Sequence, residues 1–228
     1  LLFLCQFGTF FAGLALAVDA AGVPGVAYTK DFANETAQWG QLLFARPGSG
    51  GWDITVVHAG DNLHPEFVSL AFDSHGAPHI AFYAGSPARQ LRYASMINNS
   101  TWTIEDVAGT ASWQGYFVRM VMAPGDKPHI LFQEEMGCFC LKHVTIGPDG
   151  NWVTTTVDNT PPAGYGISLA LGANSTLHAA YTTNYYTNSL RYAHYDGQAW
   201  TVENVTDAAR ASSTGWPTAN DTKKKKNK

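Results

Sequence analysis

What this sequence has least of is helical pattern. No stretch of its 228 residues carries apolar side chains at the spacing of an amphipathic helix, and the helix formers Lys, Glu and Leu are thin, which excludes an α-rich architecture. Charge is scarce too, at 14% of residues, and five of the 14 basic residues (Lys223 to Lys226 and Lys228) stand in the last six positions. The body therefore holds 14 − 5 = 9 basic against 18 acidic residues, which leaves no electrostatic footprint for nucleic acid. Cysteine is limited to Cys5, Cys138 and Cys140, too few for a disulfide framework. Cys138 and Cys140, two apart, read as strand neighbours on one side, poorly placed to bridge each other. No membrane span and no cofactor are expected.

What is present points to strands. Thr, Val, Tyr and Trp are plentiful, 13% of the chain is aromatic, and 22 glycines supply turns. Six positions, Asn34, Asn98, Asn99, Asn174, Asn204 and Asn220, match the N-glycosylation pattern and lean toward a secreted or cell-surface glycoprotein.

Three anchors recur in one order along the chain. The first is LAVDAAGVPGVAY (16–28), LAFDSHGAPHIAF (70–82), MVMAPGDKPHILF (120–132) and LALGANSTLHAAY (169–181). The second holds Leu42, Leu91, Leu141 and Leu190, spaced by 49, 50 and 49 residues. Trp52, Trp102, Trp152 and Trp200, spaced by 50, 50 and 48, open the third. Each unit of about fifty residues reads as four short antiparallel strands, the signature of a β-propeller blade that buries its faces only against neighbours.

Four blades are predicted at 14–60, 67–109, 117–159 and 166–208. The apolar residues 1–13, which begin with Leu and have no basic stretch ahead, read as the end of a preceding blade or an apolar leader. Residues 209–228 read as the start of a further blade and a disordered basic tail. The chain is thus expected to be an open segment of a larger ring, with a closed four-blade ring as the competing reading. Exposed edges of an open arc invite self-association. KDFANETAQWG, between Tyr28 and Leu42, is expected as a loop unique to the first unit.

Positions 25, 79, 129 and 178 read Gly, His, His and His. A device stamped into successive units is expected to serve architecture, so His79, His129 and His178 are assigned to structure, with a turn carboxylate such as Asp73 as a partner. The four Trp residues are assigned the same way, as wedges between blades.

The turns IGPDGNW (146–152) and HYDGQAW (194–200) resemble the Asp-box of sialidase-like propellers, of which only the Asp-Gly and Trp elements are kept here. The span 14–208 as a whole resembles secreted or surface propeller repeats. The sialidase resemblance implies a triad of arginines for a substrate carboxylate, a Tyr nucleophile with a Glu, and an acid/base Asp. Arg119 stands alone on the innermost strand, where the other units have Ala15, Ser69 and Ser168, and no triad is found. No catalytic set is assigned.

Residues outside the repeat are the candidates for contact. Trp39, Trp113, Tyr116, Tyr165, Tyr185, Tyr186 and Trp216 are expected in loops; of these Trp39, Trp113, Tyr185 and Tyr186, with Arg119 and Glu134, are assigned to ligand binding. Glu134 belongs to QEEMGCFCLKH, where Cys138 and Cys140 share a strand face that His143 does not, so no metal site is assigned. The resulting expectation is a non-catalytic propeller that binds glycan or protein through one loop face. The alternative is part of a sialidase-type glycoside hydrolase.

Overall fold

The computed structural model describes residues 13–33, 38–61, 64–85, 88–98, 101–107, 114–183 and 189–206. They form four four-stranded sheets, each a meander in sequence order. The first holds β1 (Leu14–Val18), β2 (Pro24–Ala33), β3 (Gln38–Gly48) and β4 (Gly51–Asp61). The second holds β5 (Glu66–Phe72), β6 (Pro78–Tyr83), β7 (Leu91–Ile97) and β8 (Thr101–Asp106). The third holds β9 (Gln114–Ala123), β10 (Lys127–Glu134), β11 (Cys140–Ile146) and β12 (Trp152–Asp158). The fourth holds β13 (Tyr165–Leu171), β14 (Leu177–Thr182), β15 (Leu190–Tyr195) and β16 (Trp200–Asn204). One 3-10 turn, Ala173–Ser175, is the only helical element among the described residues.

Turn chemistry fixes each meander. Asp19 Oδ1 accepts the N–H groups of Ala21 and Val23, and Asp73 Oδ1 those of His75 and Ala77, closing β1 to β2 and β5 to β6. Asp196 accepts from Gln198 and Ala199 while Gly197 takes φ 102°, a conformation that favours glycine, and this closes β15 to β16.

Facing sheets meet through their first strands: β1 packs on β5, β5 on β9 and β9 on β13. No comparable contact joins the first sheet to the fourth among the described residues, so the blades form an open, propeller-type arc. Strand partners share a face, so the ladder Leu70, Ile80, Ala94 and Ile104 turns as a unit toward the first sheet. Met120, Ile130 and Val144 do the same toward the second sheet, and Leu169, Ala179 and Ala193 toward the third.

The repeated tryptophans cross these interfaces. Trp102 meets the Phe44 ring edge-on at 5.6 Å, Trp152 meets Tyr93 at 5.0 Å, and Trp200 meets His143 at 5.4 Å. Each indole thus rests on the same third-strand position of the preceding sheet. Trp52, on which no preceding sheet packs among the described residues, is 53% exposed.

The repeated histidine is explained by that receiving position. His79 Nδ1 lies 2.6 Å from the Tyr93 hydroxyl, His129 Nδ1 lies 2.9 Å from His143 Nε2, and His178 Nδ1 lies 2.5 Å from the Tyr192 hydroxyl. His79 and His129 thus hold the ring on which the next sheet's indole sits, and His178 holds the ring at the same position of the fourth sheet. In the first sheet the receiver is Phe44, which has no polar atom to hold, and a Cβ at Gly25 would meet Phe44 at 2.8 Å and Phe72 at 2.6 Å. His79 Nε2 also faces Asp73, at 3.4 Å.

Three expectations are corrected. The stretch after Tyr28 is a lengthened hairpin, not simply a loop, because β2 and β3 keep their ladder out to Phe32↔Trp39 and Ala33↔Gln38. Cys138 and Cys140 are joined by a disulfide, since Cys138 lies before the strand and Gly137 and Phe139, at φ 120° and 52°, bend the chain back on itself. Tyr116 and Tyr165 also lie in strands, where Tyr116 meets Phe67 at 5.2 Å and Tyr165 meets Phe117 at 5.4 Å.

The same substitution at two copies of one position should therefore differ in cost. Trp102→Ala is expected to lose about 3 kcal/mol, as for other buried large-to-small changes, and Trp52→Ala under about 0.5 kcal/mol, both by urea unfolding of dilute protein.

Candidate functional site

The interface between the third and fourth sheets opens into two grooves separated by Trp200. One, of about 390 Å³, is lined by Lys127, His143, Thr145, Thr155, Tyr195 and Gln198 as well as the indole. The other, of about 380 Å³, is lined by Asp158, Asn159, Thr160, Arg191 and Asn204. Polar groups able to donate and accept thus border an apolar ring face.

β15 and β16 place the aromatic wall. Tyr195 and Trp200 are register partners across that hairpin, their rings 5.2 Å apart, and the Tyr195 hydroxyl donates to the Gly197 carbonyl. Trp200 Nε1 donates to His143 Nδ1 at 3.3 Å, which leaves the His143 proton on Nε2 to be donated to His129 Nδ1. The two imidazoles lie edge to edge, with planes 2° apart and centroids separated by 5.1 Å, as this in-plane hydrogen bond requires. Burial is the main reason that both stay neutral: it brings His143 down to about 3, with His129 and Lys127 adding to the effect, and His129 to about 4, with help from Lys127.

On the other side, Asp158 is saturated. Its Oδ2 accepts from the Tyr181 hydroxyl at 2.7 Å and from Arg191 Nη1 at 2.6 Å, and its Oδ1 accepts the Thr160 N–H. Burial works to raise this carboxyl, but the three donors outweigh it and hold it below the usual carboxylate value. Arg191 Nε is buried with no hydrogen-bond partner among the described residues. Arg191 differs here from Arg92, which pairs with its own strand partner Asp106 at 2.7 Å, because β16 offers Asn204 at that register.

Of the residues assigned to binding from sequence, Arg119 and Glu134 do not line these grooves. Arg119 is exposed on β9 and donates to the carbonyl of Val118 at 2.7 Å. Glu134 lies further along the same sheet, 3.5 Å from Lys142 Nζ. Trp113, Tyr185, Tyr186 and the side chain of Trp39 lie outside the described residues, as does Trp216. The sequence pattern does not single out Tyr195, Lys127 or Asp158. A signal for Asp158 exists nonetheless: the residue after the last anchor reads His58, Ala108, Asp158 and Thr206, and position 58 meets Arg92 of the next sheet at 3.0 Å as position 158 meets Arg191.

The imidazole pair sets a pH dependence. The unfolded chain takes up protons near the ordinary 6.5 while the folded pair resists until about 4 and 3, so its contribution to stability is complete above 6.5 and declines as pH falls toward 3. His143→Tyr, which recreates the His–Tyr pair of the second and fourth sheets, is expected to flatten the fall in urea midpoint between pH 7 and 4.5; an unchanged slope would count against the neutral pair.

No protein-family model matches the chain, and no curated protein matches it in sequence. Solved structures do match in fold. AofleA from Arthrobotrys oligospora is 15% identical with a TM-score of 0.58, over 84% of this chain and 56% of that one. A mutant of the Aleuria aurantia lectin in complex with Fucα1-6GlcNAc is 11% identical with a TM-score of 0.52, over 88% of this chain and 80% of that one. The α-L-arabinanase of Penicillium chrysogenum complexed with arabinobiose is 13% identical with a TM-score of 0.56, over 87% and 67%. The fold is thus shared with β-propeller-like lectins and glycan-active enzymes.

Proposed function

We propose that this chain is a non-catalytic, glycan-binding propeller segment, secreted or displayed at a cell surface, and that the cleft between its third and fourth sheets takes the sugar. The observation that carries this is the cleft's make-up. Trp200 and Tyr195 offer ring faces for the apolar side of a pyranose, while Lys127, Thr155, Gln198 and, across the indole, Asn204 surround them with donors and acceptors for hydroxyls. The lectin and arabinanase likenesses support the substrate class through fold alone. Secretion is supported by the sequence pattern at Asn98, Asn174 and Asn204, all exposed and so open to glycosylation.

A second reading, part of a sialidase-type hydrolase, rests on Arg119 and on the Asp-Gly turns at 149–150 and 196–197. It requires release of a fluorogenic sialoside that is lost on Arg119→Ala.

The first reading is tested by titrating a panel of neutral oligosaccharides and following tryptophan emission. Tyr195→Ala and Gln198→Ala are each expected to weaken binding about tenfold, near the worth of one contact. Binding that neither change moves would place the sugar elsewhere, and turnover without lectin-like binding would favour the second reading.

A further inference from the structure

The first sheet carries an apolar face on which nothing packs among the described residues. Leu14, Leu16 and Val18 of β1 are 72%, 68% and 57% exposed, and Ile54 and Val56 of β4, beside Trp52, are 56% and 52% exposed. In the other sheets the first-strand positions of this ladder are covered by the sheet before, while the outer-strand counterparts of Val56, namely Asp106, Thr156 and Asn204, are exposed and polar. Leu16 stands where Leu70, Met120 and Leu169 stand, and Leu70 and Met120 are 7% and 5% exposed. An apolar face of this extent, fitted in every other copy to a neighbouring sheet, calls for one.

The fourth sheet presents the complementary face, also uncovered among the described residues. Ser168, Ala180, Tyr192 and Glu203 are register partners across its strands, with His178 holding Tyr192. They repeat Ser69, Ala81, Tyr93 and Glu105, with His79, of the second sheet. That face of the second sheet is the one on which the third sheet docks: Tyr93 receives Trp152, and Ser69 Oγ accepts the Met120 N–H at 2.9 Å. On the fourth sheet the corresponding place is an open depression of about 430 Å³ beside Tyr192 and His178.

We propose that a second copy of this chain seats the open face of its first sheet on the fourth sheet of the first copy. Trp52 then takes the place of Trp152, against Tyr192, and the Leu16 N–H takes that of Met120, donating to Ser168 Oγ. The contact is face to face and head to tail, so it closes a ring or extends a chain according to the rotation between copies. It does not use the glycan cleft and stands or falls independently of it.

The test is complementation, read by sedimentation of the whole chain. Trp52→Asp with Ile54→Asp blocks the first sheet; Ser168→Arg with Tyr192→Ala blocks the fourth, and Ser168→Arg alone, at an exposed position, supplies the same block should the pair unfold. The wild type is expected to associate, each blocked variant to sediment as a monomer, and an equal mixture of the two to form a heterodimer through its one intact pair of faces. A monomeric wild type overturns the proposal. So does association that survives in the fourth-sheet variant alone, which would mean that first sheets meet each other, or a mixture that stays monomeric.

Discussion

The structure depends on one contact made three times: an indole at the head of a fourth strand laid on a ring in the third strand of the sheet before. Trp102 on Phe44, Trp152 on Tyr93 and Trp200 on His143 set how far one sheet turns from the next. A single four-stranded meander has two faces to bury and no means of burying them alone. Stability in such an array is a sum over neighbours, and every interface between these sheets is built on that wedge, with the ladders Leu70–Ile80–Ala94 and Met120–Ile130–Val144 closing around it.

The wedge also explains residues that would otherwise look like chemistry. A histidine in three of four copies invites a catalytic reading, yet each imidazole is tied to the ring at one third-strand position, which in the second and third sheets receives the next indole, and the copy that lacks histidine has Phe44 there. The third sheet departs from the rest by making the receiver itself a histidine. That exchange puts the neutral imidazole of His143, backed by His129, at the wall of the cleft where Tyr195 and Trp200 stand, so the most distinctive interface is also the one proposed to take a sugar.

The blades are legible from sequence because the anchor spacing repeats and because alternation on a strand fixes which side chains face a neighbour. The four Trp positions and the His positions are legible for the same reason. What pairs with them is not: a hydrogen bond from His79 to Tyr93 joins residues 14 apart, and only the diagonal register of β6 and β7 brings them together. The cleft escapes because its residues, among them Lys127, Asp158 and Tyr195, come from two sheets and sit at places where the repeat varies mildly. The hairpin of residues 24–48 escapes because a segment with Asn, Asp and Gly reads as loop, although Phe32 and Trp39 extend the ladder. The disulfide escapes because cysteines two apart read as neighbours on one strand, whereas the bend at Gly137 and Phe139 ends that geometry.

Amide hydrogen exchange, resolved strand by strand in dilute protein, tests neighbour-dependent stability most directly. The inner strands of the second and third sheets, β6, β10 and β11 above all, should exchange slowest, with β1 and β16 at the uncovered ends fastest. Equal protection across all sixteen strands would mean that the sheets hold themselves together without their neighbours, and the indole contact would then not be the source of the fold's stability.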